Sequence, residues 1–261
     1  MPCEGSLTRS FAWIEFADTI VRALQTATTR EEIASLMQAI AQDLGFGYYA
    51  LIHHDDLSPT RPDLVDIKHY PAAITERLFG QRHYKRDPII RGCIFADSAF
   101  LWSDLPRIIR LDKQDQVSFE VGAREGLNEG ITVPYHRHNE CAGSCTFAGS
   151  REPDRVGRYL GPVQMIGVFA FQAAHRLIGS PAMLTKHPRL HPRPRDCVIL
   201  LGQGYTNKQI ARALSLAPKT VDCYLAEARR LFNVHGRTEL VVSAVLAGEI
   251  GLHELKSRQP G

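Results

Sequence analysis

The stretch GYTNKQIARALSLAPKTVDCYLAEARRLF, residues 204–232, contains two short helical patterns on either side of a turn. Thr206 or Asn207 is a good N-cap for the first helix, because a short oxygen-bearing side chain can accept from the free N–H groups of the first turn. The apolar positions of this helix are Ile210, Ala211 and Leu214. Residues 215–217 supply the turn, and Pro218 suits the first position of the next helix. The stretch therefore predicts a helix-turn-helix.

The second helix of this stretch has one apolar face and one polar, basic face. Its apolar positions are Val221, Tyr224, Leu225, Ala228 and Leu231. The opposite face consists of Lys219, Thr220, Asp222, Cys223, Ala226, Arg229 and Arg230. Such a helix fits the major groove of DNA, where side chains near its N-terminus reach base edges and arginines farther along meet phosphates. A helical hairpin with a solvated basic face shows the same pattern, so the pattern alone leaves both interpretations open.

The residues of this region are similar to those of a known family. G-Y-T-N-K-Q-I-A, L-S-L-A-P-K-T-V and the later R-T-E-L resemble the LuxR-type helix-turn-helix over about residues 190–252. The resemblance implies a four-helix domain that binds a near-palindromic site in double-stranded DNA as a homodimer, with Lys219, Thr220 and Cys223 toward the bases. The candidate DNA-contacting residues are Thr206, Asn207, Lys208, Lys219, Thr220, Cys223, Arg229 and Arg230.

Two positions depart from the family pattern. Pro194 stands where the family usually has a Glu, and Ala217 stands where it usually has a Ser that caps the second helix. Loss of a Ser cap costs about 1 kcal/mol, which Pro218 at the first helical position partly offsets. We expect a weaker start to this helix and retained function.

Composition limits the class of protein. With 261 residues, 44% hydrophobic and 23% charged, the chain can form one large or two ordinary domains, each with a core, which excludes a disordered or fibrous protein. The net charge of +3 is uneven, because the chain from residue 183 onward holds 12 Lys and Arg against 6 Asp and Glu. This basic segment makes a polyanionic partner plausible, although such segments are often only solvated.

The remainder of the chain mixes helical and strand patterns. Helical spacing covers residues 11–26, 31–44, 71–84, 107–125 and 153–178. Strand patterns cover residues 48–53, 64–69, 130–135 and 142–148, with a turn composition over 55–63. We predict an α+β fold in which an antiparallel sheet is sandwiched between helices, followed by an all-α four-helix domain. The predicted boundaries are 1–178 for a signal-binding domain, 179–189 for a proline-containing linker and 190–261 for the DNA-binding domain.

A second resemblance concerns the first domain, in which no receiver-domain pattern is found. Tyr70-Pro71, Asp87-Pro88-Ile89, Trp102 within FLWSDL and GLNEGITVP at residues 126–134 resemble the autoinducer-binding domain of acyl-homoserine-lactone receptors in order and spacing. The resemblance implies that Asp87 accepts the amide N–H of the ligand and that Tyr70 donates to its acyl carbonyl. It also implies that Trp102 packs on the head group and that Thr146 contacts the start of the acyl chain. Ordinary core packing, with Asp87 capping a turn, is the alternative for each residue.

The positions of Ile74 and Leu78 depart from this second family. The family has there a Trp, which donates its indole N–H to the lactone carbonyl, and a nearby Tyr. Three explanations stay open: another donor such as Arg77 or His83 replaces the Trp, the ligand lacks a lactone, or the domain no longer binds these lactones. The candidate ligand-binding residues are Tyr70, Ile74, Leu78, Asp87, Trp102 and Thr146. The effector is predicted to be an acyl-homoserine lactone or a related amphipathic molecule, with a non-lactone ligand or ligand-independent action as the alternatives.

Other function classes find little support in the sequence. Common hydrolase, P-loop and zinc-protease motifs are absent, so no enzyme, cofactor or metal site is predicted. Cys141 and Cys145 lie near His136 and His138, but a zinc site needs a second ligand pair, and we expect the thiols to fill the core or line the pocket. Scattered cysteines, no apolar leader and no apolar run long enough for a bilayer predict a cytoplasmic protein without a membrane segment.

Overall fold

The computed structural model describes residues 4–54, 64–80, 83–137, 140–178 and 188–256. The chain forms two compact units, residues 1–180 and 181–261. The turn predicted over 55–63 and most of the predicted linker, 179–189, lie outside the described residues. Each unit has its own buried apolar core. In the described parts of both units, no helix is long and apolar enough to cross a membrane.

The first unit combines helices with an antiparallel sheet. Its α-helices are α1 (Glu4–Thr26), α2 (Arg30–Asp43), α3 (Ala72–Thr75), α4 (Pro88–Phe95), α5 (Leu105–Ile108), α6 (Lys113–Arg124) and α7 (Leu160–Leu177). Its strands are β1 (Phe46–His53), β2 (Asp66–His69), β3 (Phe100–Leu101), β4 (Gly130–Arg137) and β5 (Glu140–Ser150). These strands form one sheet in the order β2-β1-β5-β4-β3, with every pair antiparallel. The predicted α+β class is confirmed.

The two faces of this sheet have different covers, because successive side chains on a strand point to opposite sides. On one face, Leu51 and Phe147 pack into a large core with residues of α1, α2 and α7, among them Phe171. On the other face, Thr146 and Ala148 lie under α3, α4 and α6. The first cover consists of long helices, whereas the second consists of short ones.

Several predicted elements have different bounds in the structure. The helix expected over 107–125 is divided, because Asp112 forms a reciprocal capping box with Asp115 and so begins α6 anew. The stretch expected to be helical over 71–84 contains a π-helical segment, Glu76–Gly80. The helix expected over 153–178 begins with a 3-10 segment, Pro153–Tyr159. Strand β3 was not predicted, since two residues are too few to show a period.

The second unit is helical in its described residues. Its helices are α8 (Pro192–Gly202), α9 (Asn207–Ala213), α10 (Pro218–Phe232), α11 (Arg237–Leu246) and the single turn α12 (Leu252–Leu255). The turn between α9 and α10 contains Ser215 in the left-handed region, with φ of 55°. Leu231, predicted on the apolar face of α10, is 43% exposed, and that prediction is wrong. It lies in the last turn of the helix, where the next residue, Phe232, packs against the core instead.

The start of α10 is a weak point of this unit. Ala217 occupies the N-cap and makes no side-chain hydrogen bond to the first turn. Ala217→Ser should stabilise the second unit by about 1 kcal/mol, because the hydroxyl can accept from a free N–H group. Thermal unfolding of the full chain would measure this gain. Ala213→Ser, at the end of α9, is the control and should not stabilise; an equal gain for both would contradict the cap account.

Candidate ligand cavity and nucleic-acid interface

A cavity of about 430 Å³ lies between the second face of the sheet and the short helices α3, α4 and α6. Its volume falls in the range of small-molecule sites. The lining consists of Ile52, Tyr70, Ile74, Arg77, Leu78, Arg86, Asp87, Pro88, Ile89, Ile90, Trp102, Gln114, Ser118, Phe119, Gly122, Leu127, Ser144 and Thr146. All six candidate ligand-binding residues therefore line one cavity. Their roles stay predictions.

Asp87 combines a structural contact with a place in the cavity wall. Its Oδ1 accepts hydrogen bonds from the backbone N–H groups of Ile89, at 2.9 Å, and Ile90, at 3.2 Å, and so caps α4. The capping alternative is correct, but it uses only one of the two carboxylate oxygens. Burial raises the pKa of the Asp87 carboxyl, while these two hydrogen bonds and the charges of His54 and Arg77 act in the opposite direction.

Tyr70 follows β2 and lies half-buried in the cavity wall. Burial is the main cause of the raised pKa of its phenol, and the nearby Asp87 carboxylate adds to it, whereas a hydrogen bond to Thr146 lowers it. The phenol is therefore a neutral O–H donor at physiological pH. A donor on Tyr70 and an acceptor on Asp87 are the two groups that a buried amide needs.

Trp102 is held by the sheet. Its indole Nε1–H donates to Thr132 Oγ1 at 3.0 Å, and Thr132 Oγ1 lies 3.0 Å from Thr146 Oγ1 on the neighbouring strand. Gly130 permits this placement, because a Cβ there would lie 3.0 Å from the indole ring. Trp102 is thus available to a ligand through its ring, while its N–H group is engaged within the protein.

Ile74 and Leu78 give the cavity an apolar wall. Ile74 is buried in a small cluster with Leu127 and Ala148, against which Leu78 packs. A Trp at position 74 would therefore require the cluster to repack. Arg77 also lines the cavity, and its Nη2 donates to Ser118 Oγ at 3.0 Å. The side chain of His83, the other donor considered, lies outside the described residues.

Several lining residues were not predicted. Gln114 and Ser118 lie four residues apart on α6 and so share a face of that helix. This spacing is visible in the sequence. Ser144 lies two residues before Thr146 on β5 and shares its face, and its Oγ lies 2.9 Å from Nε2 of His54. Strand alternation would have identified Ser144, but without the cavity nothing marks it as important. Arg86, at the cavity edge, carries no sequence signal.

The cysteine predictions have different outcomes. Cys145 is buried in the core on the α7 side of the sheet, opposite the cavity, and burial raises the pKa of its thiol. It fills the core and does not line the pocket. The side chains of Cys141 and His138 lie outside the described residues. Within the described part of the chain, no group of three or more His, Cys, Asp or Glu residues could hold a metal ion.

The helix-turn-helix places its candidate residues unequally. Thr206 caps α9 in a reciprocal capping box with Gln209. Asn207 accepts from Arg237 Nη1 at 2.6 Å and donates to Asp222, so it joins α9, α10 and α11 within the unit. This bond network gives Asn207 a positioning role that the sequence did not show.

The polar face of α10 is accessible. Lys208, Lys219, Cys223 and Arg230 are exposed, whereas Thr220 and Arg229 are half-buried. A surface cleft of about 330 Å³ is lined by Leu201, Asn207, Lys219, Asp222, Cys223, Leu225, Ala226, Arg229, Arg237 and Leu240. Arg237, at the start of α11, was not predicted as a site residue, although it belongs to the quoted R-T-E-L motif. It adds a cation beside the candidate DNA-contacting face.

Comparisons with known proteins cover nearly the whole chain. Residues 29–174 match the autoinducer binding domain, and residues 189–244 match the bacterial regulatory proteins of the luxR family. The transcriptional activator AnoR of Acinetobacter nosocomialis is 22% identical over 88% of this chain and 97% of its own length. The regulatory protein SdiA of Escherichia coli is 22% identical over 92% of this chain and 98% of its own length.

Solved structures share the fold. A crystal structure of Escherichia coli SdiA aligns with a TM-score of 0.59 and 21% identity, covering 91% of this chain and 98% of that chain. A second structure, of SdiA in complex with octanoyl-rac-glycerol, aligns with a TM-score of 0.58 and 21% identity, covering 90% and 95% of the two chains. The likeness extends over both units.

Asp87→Asn should separate stability from ligand response. Oδ1 of the asparagine can still accept the hydrogen bonds that cap α4, but the substitution removes the carboxylate. We expect the response to ligand to weaken by about 1–3 kcal/mol, or about 10–100-fold in concentration. Asp112→Asn, which alters a capping Asp outside the cavity wall, is the matched control. A dose–response in a reporter strain measures both, and an unchanged Asp87→Asn response would contradict an amide-binding role.

The same variant has a predictable pH dependence without ligand. Because the pKa of Asp87 is raised in the folded state, its ionisation costs stability above that pKa and the cost disappears as the pH falls through it. Asp87→Asn should therefore unfold at a temperature equal to or above that of the wild type at neutral pH. The difference should shrink in acid, as measured by thermal unfolding across pH. An unfolding temperature of Asp87→Asn below that of the wild type at neutral pH, with the deficit disappearing in acid, would show that the carboxylate stabilises the unliganded fold.

Proposed function

The chain belongs to the luxR family of bacterial regulatory proteins that carry an autoinducer-binding domain, and we propose that it binds a small N-acyl amide in the cavity of its first unit. It is a ligand-responsive DNA-binding transcriptional regulator. The proposed ligand is an acyl-homoserine lactone or a related amphipathic molecule. We further propose that it has no catalytic role and acts in the cytoplasm, which fits relatives that are transcriptional regulators.

The single observation that carries this proposal is the pairing of Asp87 and Tyr70 in the wall of a largely apolar cavity. A buried amide leaves one donor and one acceptor to be satisfied, and each unsatisfied group costs about 1–3 kcal/mol. The carboxylate supplies the acceptor and the phenol supplies the donor. The acyl chain is then enclosed by apolar lining such as Ile52, Leu78 and Leu127. Trp102 and Thr146 lie beside the same space.

A ligand without a lactone is the main alternative. The structure of SdiA with octanoyl-rac-glycerol shows that a relative of this fold accepts an acyl compound with no lactone ring. Ile74 and Leu78 offer this chain no hydrogen-bond donor where the family has Trp and Tyr. The alternative keeps the same cavity and changes the head group of the ligand.

Binding of the ligand would be thermodynamically linked to the folding of the first unit. A molecule that binds only the folded first unit stabilises that unit in proportion to its concentration and affinity. We propose that this stabilisation favours a homodimer, which presents two copies of α10 to a near-palindromic DNA site. Val242 and Leu246, one turn apart on α11, are 51% and 48% exposed, and Leu252 is 54% exposed. These exposed apolar residues fit a surface that a second copy covers.

The proposed DNA residues can be tested separately. Lys219→Ala should lose on the order of 1–3 kcal/mol at the cognate site if Lys219 contacts a base, whereas Arg230→Ala should weaken binding to all sequences alike. Arg193→Ala, an exposed cation on α8, is the control and should have a smaller effect. Fluorescence anisotropy on cognate and random duplexes, with and without ligand and at several salt concentrations, measures the two losses.

Footprinting of the same complexes tests the assembly. A homodimer should protect two half-sites whose centres lie about one helical turn apart. Protection of a single half-site would refute the dimer. Equal loss on cognate and random DNA for Lys219→Ala would assign that residue to phosphate, and binding unaffected by any ligand would favour ligand-independent action.

A further inference from the structure

Arg77 is a half-buried cation with few protein partners. It lines the cavity from the π-helical segment that follows α3. A guanidinium group carries five N–H donors. In the described residues it makes one hydrogen bond, from Nη2 to Ser118 Oγ, and no carboxylate forms an ion pair with it. Most of its hydrogen-bonding capacity therefore remains for a ligand or solvent in the cavity.

Other arginines of the first unit show what a structural guanidinium looks like in this fold. Arg91 donates to both carboxylate oxygens of Asp115, at 2.8 and 3.0 Å, and to the backbone carbonyl of Arg110. Arg176 donates to the backbone carbonyls of Leu24, Gln25 and Ala27. Each of these groups is satisfied by several protein oxygens. Arg77, which is half-buried, donates to one protein oxygen in the described part of the chain.

Polar and charged residues share the cavity lining with Arg77. Ser118 accepts from Arg77 and donates to the backbone carbonyl of Gln114, and both residues line the cavity. Arg86 lies in the same wall, so the charged lining consists of two arginines and Asp87. Arg77 and Asp87 thus line one cavity. A ligand held at Asp87 therefore presents its next few atoms to a region of positive charge.

We infer that the natural ligand is an N-acyl amide with an anionic head group, a carboxylate of the N-acyl amino acid type, which Arg77 holds. This inference rests on the proposed amide-binding function of the same cavity. In an N-acyl amino acid the carboxylate follows within a few bonds of the amide nitrogen, so one molecule can occupy Asp87, Tyr70 and Arg77 together. A carboxylate accepts two parallel N–H bonds from a guanidinium and neutralises its charge.

A neutral lactone fits this wall less well. Its carbonyl satisfies at most a small part of the Arg77 donors and leaves the charge uncompensated. Ile74 supplies no N–H donor for it. The opposite possibility is that Arg77 only fastens the π-helical segment to α6 through Ser118. That structural role would make the protein indifferent to the charge of the ligand.

Three matched probes distinguish these possibilities. They are N-decanoyl-homoserine lactone, its ring-opened carboxylate N-decanoyl-homoserine, and the neutral primary amide of the ring-opened compound. The first two differ in ring and charge, and the last two differ chiefly in charge. Calorimetry on the full chain in slightly acidic buffer keeps the lactone closed and the carboxylate ionised, since carboxylates titrate near pH ~4.

The wild type should bind the carboxylate about tenfold or more tightly than either neutral probe. Arg77→Gln should weaken binding of the carboxylate on the order of 10–100-fold and change binding of the neutral amide by less than about threefold. Arg77→Lys, which keeps the charge without the planar fork, should retain part of the preference. Arg107→Gln, an arginine that is 85% exposed and outside the cavity wall, should change nothing.

Equal binding of the three probes by the wild type would overturn the inference, and this comparison needs no variant to fold. Equal weakening of all three probes by Arg77→Gln would assign Arg77 a structural role and also overturn it. Either result, with neutral-amide binding that is still weakened by Asp87→Asn, leaves the proposed amide-binding function intact. Failure of the wild type to bind any of the three, or binding indifferent to Asp87→Asn, would refute that function and this inference together.

Discussion

Both faces of the central sheet must be covered by helices. The rest of the first unit depends on the difference between the two covers. On one face α7 packs so closely that a Cβ at Gly167 would lie 2.8 Å from Val133. A Cβ at Gly143 would lie 2.4 Å from the ring of Phe171. Long helices pack closely on this face. On the other face the covering helices are short and interrupted, and they leave the cavity.

The short, interrupted helices on the second face explain how polar side chains come to line the cavity. Asp87 caps the short helix α4 and at the same time places its carboxylate in the cavity wall. The π-helical turn that carries Arg77 is a type of distortion that is frequent at functional sites. Segments with little apolar burial open more readily than a packed core, so they gain the most from an enclosed ligand. The same short helices thus supply the polar groups that would bind a ligand and the segments whose stability would respond to it.

The sequence predicted most of the helices and strands. It did not predict the features that depend on tertiary contacts. The strand pairs and the main helices follow from period and turn composition, and the resemblance led to Tyr70, Asp87, Trp102 and Thr146, which the fold brings to one cavity. Local pattern could not show that Arg77 meets Ser118, because that contact joins positions far apart in the chain. The pattern also treated residues 107–125 as one helix, since it does not register a capping box that restarts a helix. In the same way it counted Leu231 as buried, although in the last turn of α10 it is Phe232 that packs against the core.

Hydrogen–deuterium exchange of the full chain, with and without a bound N-acyl amide, tests most directly whether a ligand occupies the space under the short helices. The account predicts that protection increases in α3, α4 and α6, including the π-helical segment, and on the cavity side of β5. Exchange in α2 and α7, which cover the other face, should change little. Protection confined to α2 and α7, or equal in all helices, would contradict binding in this cavity.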